Sequence, residues 1–188
     1  IGIEWSGLSY QEKKQSGQTG IVILLAFLFV FLFLAAQYES WSVPIAVLMS
    51  LPAACIGAFI GIGIFGLENN VYFQIGIVML IGMAAKNAIL IVEFAKEQVE
   101  KGIDVVEAAV IAGTMRFRPI VMTSLTFILG MLPLLWASGP GSVSRQSIGV
   151  GIFSGMLVAM TIGIILVPFF FVWIYKIKER VKSKRENK

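Results

Sequence analysis

Five apolar blocks alternate with short polar stretches along the chain. The first runs from Gly20 to about Gln37, GIVILLAFLFVFLFLAAQ, and carries no charge. The second covers about Ser42 to Phe65, contains Pro44 and Pro52, and ends among glycines. The third is Val71 to Phe94, the fourth about Pro119 to Trp136, and the fifth about Ile148 to Tyr175. A helix needs roughly 20 predominantly apolar residues to cross a bilayer. Lipid offers no hydrogen bonds, so a spanning segment must satisfy its backbone internally, and a helix does so. The pattern therefore predicts an all-α membrane protein with five transmembrane helices and its two ends on opposite sides.

The polar stretches give the orientation. Residues 1–19, IGIEWSGLSYQEKKQSGQT, read as the end of an extramembrane domain or a linker. The longest connection is 95–118, in which Val99, Ile103, Val106, Val110 and Phe117 recur at helical spacings among acids and lysines. That pattern suits an amphipathic helix lying on the cytoplasmic membrane face, and equally a solvated connecting helix. The tail, KIKERVKSKRENK, residues 176–188, holds seven of the fifteen Lys and Arg. With the tail inside, the cytoplasmic segments carry eleven Lys and Arg against three on the other side. Cytoplasmic loops are enriched in these residues, so the N-terminal stretch is expected outside and the C-terminus in the cytoplasm.

Composition narrows the class further. Of 188 residues, 57% are hydrophobic and only 14% charged, whereas an ordinary soluble domain is about a quarter charged. The basic tail is explained by the membrane, and no nucleic-acid partner is implied. Cys55 is the single cysteine and there is no histidine, which excludes an intrachain disulfide and argues against a zinc or haem site. No phosphate loop, nucleophile elbow or HExxH motif is present, so no cofactor and no enzymatic chemistry are expected. The chain opens on Ile1 and reads as a piece of something longer. Gly57 with Gly61, and Gly151 with Gly155, put small residues on one helix face at a spacing of four, which favours a packed bundle.

One residue breaks the apolar pattern of the third block. Lys86 lies in IGMAAKNAILIVEFAK, fifteen residues or about 22 Å beyond Val71. An ammonium there must snorkel, deprotonate or meet an anion. Intramembrane ionisable residues usually face a bundle interior and mark an ion pathway. Glu93 shares a helix face with Lys86 but lies about 10.5 Å along the axis. Glu39 and Glu68 fall in loops. A carboxylate partner for a buried, charged Lys86 is therefore expected outside this chain. Arg116, Arg118 and Thr123 sit at the start of the fourth block. Arg116 and Thr123, seven apart, share a face if the helix continues through Pro119, which disfavours helix at Arg118. The plain alternatives are that both arginines anchor the cytoplasmic side and that the Thr123 hydroxyl bonds its own helix backbone.

Three stretches carry a resemblance: AAQYESWSVPIAVLMSLP, GLENNVYFQIGIVMLIGMAAKNAILIVEFAK and MRFRPIVMTSLTFILGMLPL. Together they resemble the resistance–nodulation–division superfamily, in particular inner-membrane multidrug efflux pumps of the hydrophobe/amphiphile exporter type. The resemblance implies that the five spans are helices eight to twelve of a twelve-helix transporter, and that WSGLSYQE ends a periplasmic region. It implies that Lys86 pairs with two aspartates supplied by the missing N-terminal half, and that their protonation drives proton/drug antiport. Arg116 and Thr123 match the other members of that proton relay. It further implies a homotrimer, a periplasmic adaptor protein, an outer-membrane channel, and hydrophobic or amphiphilic small-molecule substrates. A metal-efflux or protein-export member of the superfamily, or a truncated membrane module that only packs, are the alternative readings.

The Lys and Arg asymmetry makes the orientation testable. A cysteine introduced at Ser142 is expected to react with a membrane-impermeant thiol reagent applied from the periplasmic side, and one at Ser183 is not. Labelling at Ser183 without labelling at Ser142 overturns the orientation.

Overall fold

The computed structural model describes residues 19–38 and 41–186; the expected periplasmic stretch 1–18, part of the first cytoplasmic loop and the last two residues of the tail lie outside them. Six α-helices occur among the described residues: α1 Thr19–Tyr38, α2 Ser42–Phe65, α3 Val71–Glu100, α4 Val105–Leu135, α5 Ser142–Thr161 and α6 Gly163–Glu186. The first five are long and apolar enough to cross a membrane, and α6 begins with a shorter apolar stretch, Gly163–Ile177. The chain is an all-helical, multi-pass membrane protein.

The turns between helices are closed by residues suited to them. Gly66 ends α2 at φ +65°, where a side chain would be strained. The Leu67 N–H then donates back to the Ile62 carbonyl at 3.0 Å, a bond typical of such helix ends. Asn70 starts α3: its Oδ1 accepts from the Phe73 N–H at 2.9 Å. Its Nδ2 donates to Ser147 Oγ on α5 at 2.7 Å. One asparagine thus caps a helix and ties it to a neighbour. At the other end of α3, Gly102 turns the chain at φ +89°, and Asp104 Oδ2 accepts from the Val106 N–H to cap α4.

Segment 95–118 is shared between two helices. It is the last turns of α3, a tight turn at residues 101–104, and the first turns of α4. Val105, Ala108, Ala109 and Ala112 face the bundle, whereas Val106, Val110 and Phe117 of the expected apolar face are exposed. Alanines allow the closer helix approach, so they take the interior. The helix also continues through Pro119. A proline inside a membrane helix is tolerated where neighbours and local adjustment accommodate the freed backbone.

The fifth span differs as well. Helix begins at Ser142, earlier than the expected Ile148, and is interrupted at Ile162. Ile162 keeps helical angles, and its carbonyl accepts from both Ile165 and Leu166. The chain therefore continues without reversing, and α5 with α6 form one crossing. Pro168 lies six residues on and has no N–H to give to the Ile164 carbonyl, which places the irregularity where a proline disturbs the ladder.

Helix α3 is the centre of the bundle. Phe73, Ile77, Leu80, Ile81, Ala84, Ala88, Ile91, Val92 and Ala95 form its buried stripe. Helices α2 and α5 make the most extensive pairing, and glycines permit it. A Cβ on Gly57 would lie 2.6 Å from Val158 Cβ, and one on Gly61 would lie 2.4 Å from Ser154 Cβ. On α5, Gly151 and Gly155 instead make room for Phe73 and Leu80 of α3. The two glycine pairs thus serve different interfaces. Helix α1 is peripheral: Leu34 and Tyr38 are buried, while Leu24, Phe29 and Phe33 are exposed. Its end is held by Tyr38, whose ring lies 5.8 Å from Lys96 Nζ on α3.

Gly61→Ala is expected to push α2 and α5 apart and to cost about 1–3 kcal/mol, as overpacking does. Gly63→Ala, whose Cβ meets nothing within 4 Å, is expected to be neutral. Thermal unfolding of both variants in detergent checks this, and equal melting temperatures would show that the close packing is not limiting.

Candidate functional site

The site is built on the pairing of α3 with α4. These helices run antiparallel, and a buried hydrogen bond fixes their register: Asn87 Nδ2 donates to Ser124 Oγ at 3.1 Å. Fixing that pair places their sequence neighbours. Lys86 and Thr123 come to line one open groove of about 580 Å³, together with Met83, Met122, Thr126 and Phe127. Eight residues on in α3 and seven back in α4, Phe94 meets Arg116, whose guanidinium carbon lies 4.7 Å from the ring centroid.

Lys86 is exposed. It stands on the ridge between that groove and a second one, of about 410 Å³, lined by Phe29, Val30, Phe33 and Leu34 of α1 and by Ala85 and Ile89 of α3. The second groove is almost wholly apolar. No acid among the described residues forms an ion pair with Lys86. Lys96 and Lys101, by contrast, each pair with a glutamate on their own helix turn, Lys96 with Glu100 at 3.7 Å and Lys101 with Glu97 at 2.7 Å. These two are exposed pairs of the kind worth under about 1 kcal/mol each. The carboxylates carried by α3 itself, Glu93, Glu97 and Glu100, thus lie toward its C-terminal end, and Glu93, two turns from Lys86, makes no bridge to it.

Thr123 donates its hydroxyl to the Ile120 carbonyl, three residues back, at 3.1 Å. Its oxygen keeps lone pairs toward the groove that Lys86 lines, and so can accept from an ammonium. Arg116 stands apart from the groove. Its Nε is buried without a hydrogen bond among the described residues, while its guanidinium carbon lies over the Phe94 ring. Arg118, on the exposed side of α4, takes part in neither arrangement.

The structure therefore brings Lys86 and Thr123 together and leaves Arg116 about two helical turns away, next to Phe94. The residues that sequence reasoning overlooked are Asn87 and Ser124, the bolt that sets their positions. Their signal was adjacency. Residues next to each other on a helix point about 100° apart, so a polar pair such as Lys86–Asn87 or Thr123–Ser124 can aim one member into the bundle and the other out of it. Asn70 was likewise overlooked, although an asparagine before an apolar run marks a helix start.

Residues 1–175 match the model of the AcrB/AcrD/AcrF family. The chain is similar to the toluene efflux pump membrane transporter TtgB of Pseudomonas putida, with 54% identity over 92% of the chain and 16% of that protein. It is also similar to the multidrug export protein AcrF of Escherichia coli, 48% identical over 92% of the chain and 17% of that protein. With the multidrug resistance protein MdtF of Escherichia coli the identity is 46% over 97% of the chain and 18% of that protein. The chain spans less than a fifth of the length of these curated relatives. The match covers the helices that carry Lys86, Arg116 and Thr123, and on it the chain belongs to the AcrB/AcrD/AcrF family of resistance–nodulation–division efflux transporters.

Proposed function

We propose that this chain is the C-terminal membrane portion of a proton-driven efflux transporter that exports hydrophobic or amphiphilic compounds across the cell envelope. The observation that carries the reading is the ridge position of Lys86: a cation within a membrane-crossing helix, flanked by two grooves, with no acid partner among the described residues. Such a charge costs several kcal/mol unless it is paired or loses its proton. A carboxylate-bearing helix from the rest of the protein, seated along these grooves, supplies the pair.

The step that follows is electrostatic, with no bond made or broken in the cargo. While the partner carboxylates are ionised, Lys86 is drawn to them. When they take up protons, that attraction ends, and the ammonium turns toward the nearest acceptor on its own side, the Thr123 oxygen. Two positions for one charge make a two-state element that a proton gradient can bias. Arg116, over the Phe94 ring, supplies a fixed positive charge at the end of the same helix pair. The names of the relatives point to toluene, solvents and drugs as cargo. The trimeric assembly, periplasmic adaptor, outer-membrane channel, inner-membrane location and cytoplasmic C-terminus belong to the same reading.

In the full-length transporter, Lys86→Ala and Lys86→Arg are both expected to reduce proton-coupled efflux to background, since a planar guanidinium does not replace a point-like ammonium. Thr123→Ala is expected to lower it about fivefold, the worth of roughly one hydrogen bond. Efflux from cells, measured with membrane protein level, decides. Normal efflux from a well-expressed Lys86→Ala protein would leave Lys86 as an anchor and overturn the relay.

A further inference from the structure

Four polar side chains are buried among the described residues: Ser50, Asn87, Ser124 and Ser147. Most of their hydrogen-bonding capacity is accounted for. Ser147 accepts from Asn70 and donates to the Val143 carbonyl. Ser124 accepts from Asn87. Ser50 donates to the Val47 carbonyl at 2.7 Å, which leaves its oxygen lone pairs unused. Asn87, only 8% exposed, uses its amide N–H on Ser124, and its amide oxygen accepts nothing among the described residues.

The unused acceptors of Ser50 and Asn87 line the same small cavity, where α2 and α3 meet the junction of α5 and α6. Its other walls include Ala159, Gly163, Ile164 and Val167. Ile164 is the residue whose carbonyl Pro168 deprives of its usual helical donor. Two side-chain acceptors without donors, and a carbonyl that has lost its usual helical donor, thus belong to residues around one cavity, beside the interrupted turn of the α5–α6 crossing. The cavity measures about 20 Å³. A single water needs at least roughly 10–15 Å³ and two to four polar partners. The volume therefore admits one water and nothing larger. No carboxylate lines it, so a cation would have no counter-charge there.

We propose that this cavity is a binding site for one ordered water, which donates its two hydrogens among Asn87 Oδ1, Ile164 O and Ser50 Oγ. Asn87 then acts as a positioning residue with two hands. Its N–H fixes α4 beside Lys86, and its carbonyl, through the water, holds the α5–α6 break. The break can bend by exchanging the partners of the water, without stranding a carbonyl in an apolar interior, where an unpaired group costs about 1–3 kcal/mol.

Two measurements on the full-length transporter test this, and neither depends on proton coupling by Lys86. In a structure that resolves buried waters elsewhere in the membrane domain, one water is expected at about 2.5–3.0 Å from Asn87 Oδ1. A cavity without density in such a map overturns the proposal. The second is a double-mutant cycle read by melting temperature. Pro168→Ala restores the donor to Ile164, so the loss caused by Asn87→Leu is expected to shrink by about half in that background. Asn87→Ser, which withdraws the amide without adding bulk, runs in parallel with the same expectation. Ser124→Ala removes only the partner of the other hand and is expected to add independently to Pro168→Ala. Additivity for both asparagine variants overturns the water site, and so does equal coupling for Ser124→Ala, which would mark a general packing effect.

Discussion

Close approach of backbones is the constraint on which the arrangement depends. Lipid tails are as apolar as leucine, so helices in a bilayer gain nothing from hiding apolar surface and must gain from contact and hydrogen bonds. Helix α5 supplies the contact. Gly149 makes room for Leu134 of α4, Gly151 for Phe73 and Gly155 for Leu80 of α3. On its other side, Val158 and Ser154 fill the spaces left by Gly57 and Gly61 of α2. One helix therefore sets the spacing of three others. Residues with side chains at these positions would widen the bundle, and the 3.1 Å bond between Asn87 and Ser124 would be lost with the spacing.

Spacing alone leaves helices free to slide, and the buried amide removes that freedom. A hydrogen bond between two side chains in an apolar interior is worth only about 0.5–1.5 kcal/mol when made, but leaving either group unpaired costs more. The asymmetry is what sets register. Sliding α3 by one turn against α4 would strand both Asn87 and Ser124. The same bond separates the polar neighbours by purpose: Asn87 and Ser124 turn inward and bond each other, while Lys86 and Thr123 turn toward the groove. The position of the ammonium on the groove is therefore a consequence of the buried bond beside it.

Much of this was legible in the sequence, and the parts that were not share a cause. The five crossings, the depth of Lys86 and its want of a partner follow from runs of apolar residues and the places where charges interrupt them. The glycine spacing pointed to close packing, but which helix each pair faces depends on rotation about the axis, which a spacing of four does not fix. The amphipathic reading of 95–118 grouped Val99, Ile103, Val106, Val110 and Phe117 as one apolar face toward the membrane, and said nothing of which residues would pack inward. Val105, Ala108, Ala109 and Ala112 take the interior, because contact distance decides and bulk can face outward. Continuity through Pro119 and the break at Ile162 were hidden for a related reason. A proline states which hydrogen bond is lost, but the surrounding helices decide how the backbone adjusts.

Lys86 and Arg116 show how chemistry divides between two cations on one helix pair. The guanidinium is planar and weakly hydrated, and it can lay its face on a ring. Phe94 provides the ring, at 4.7 Å, and an interaction of this type contributes about 0.5–2 kcal/mol, growing as water is excluded. That contact holds Arg116 in place whatever the protonation of groups elsewhere. Among the described residues the ammonium of Lys86 makes no cation–π contact and no ion pair, and its stem is flexible. A charge that is held cannot report a change in its surroundings by moving, whereas a charge that is not held can. Under the proposed function the moving part must then be Lys86 and the fixed part Arg116. Exchanging the two side chains would lose both properties while leaving the net charge of the pair unchanged.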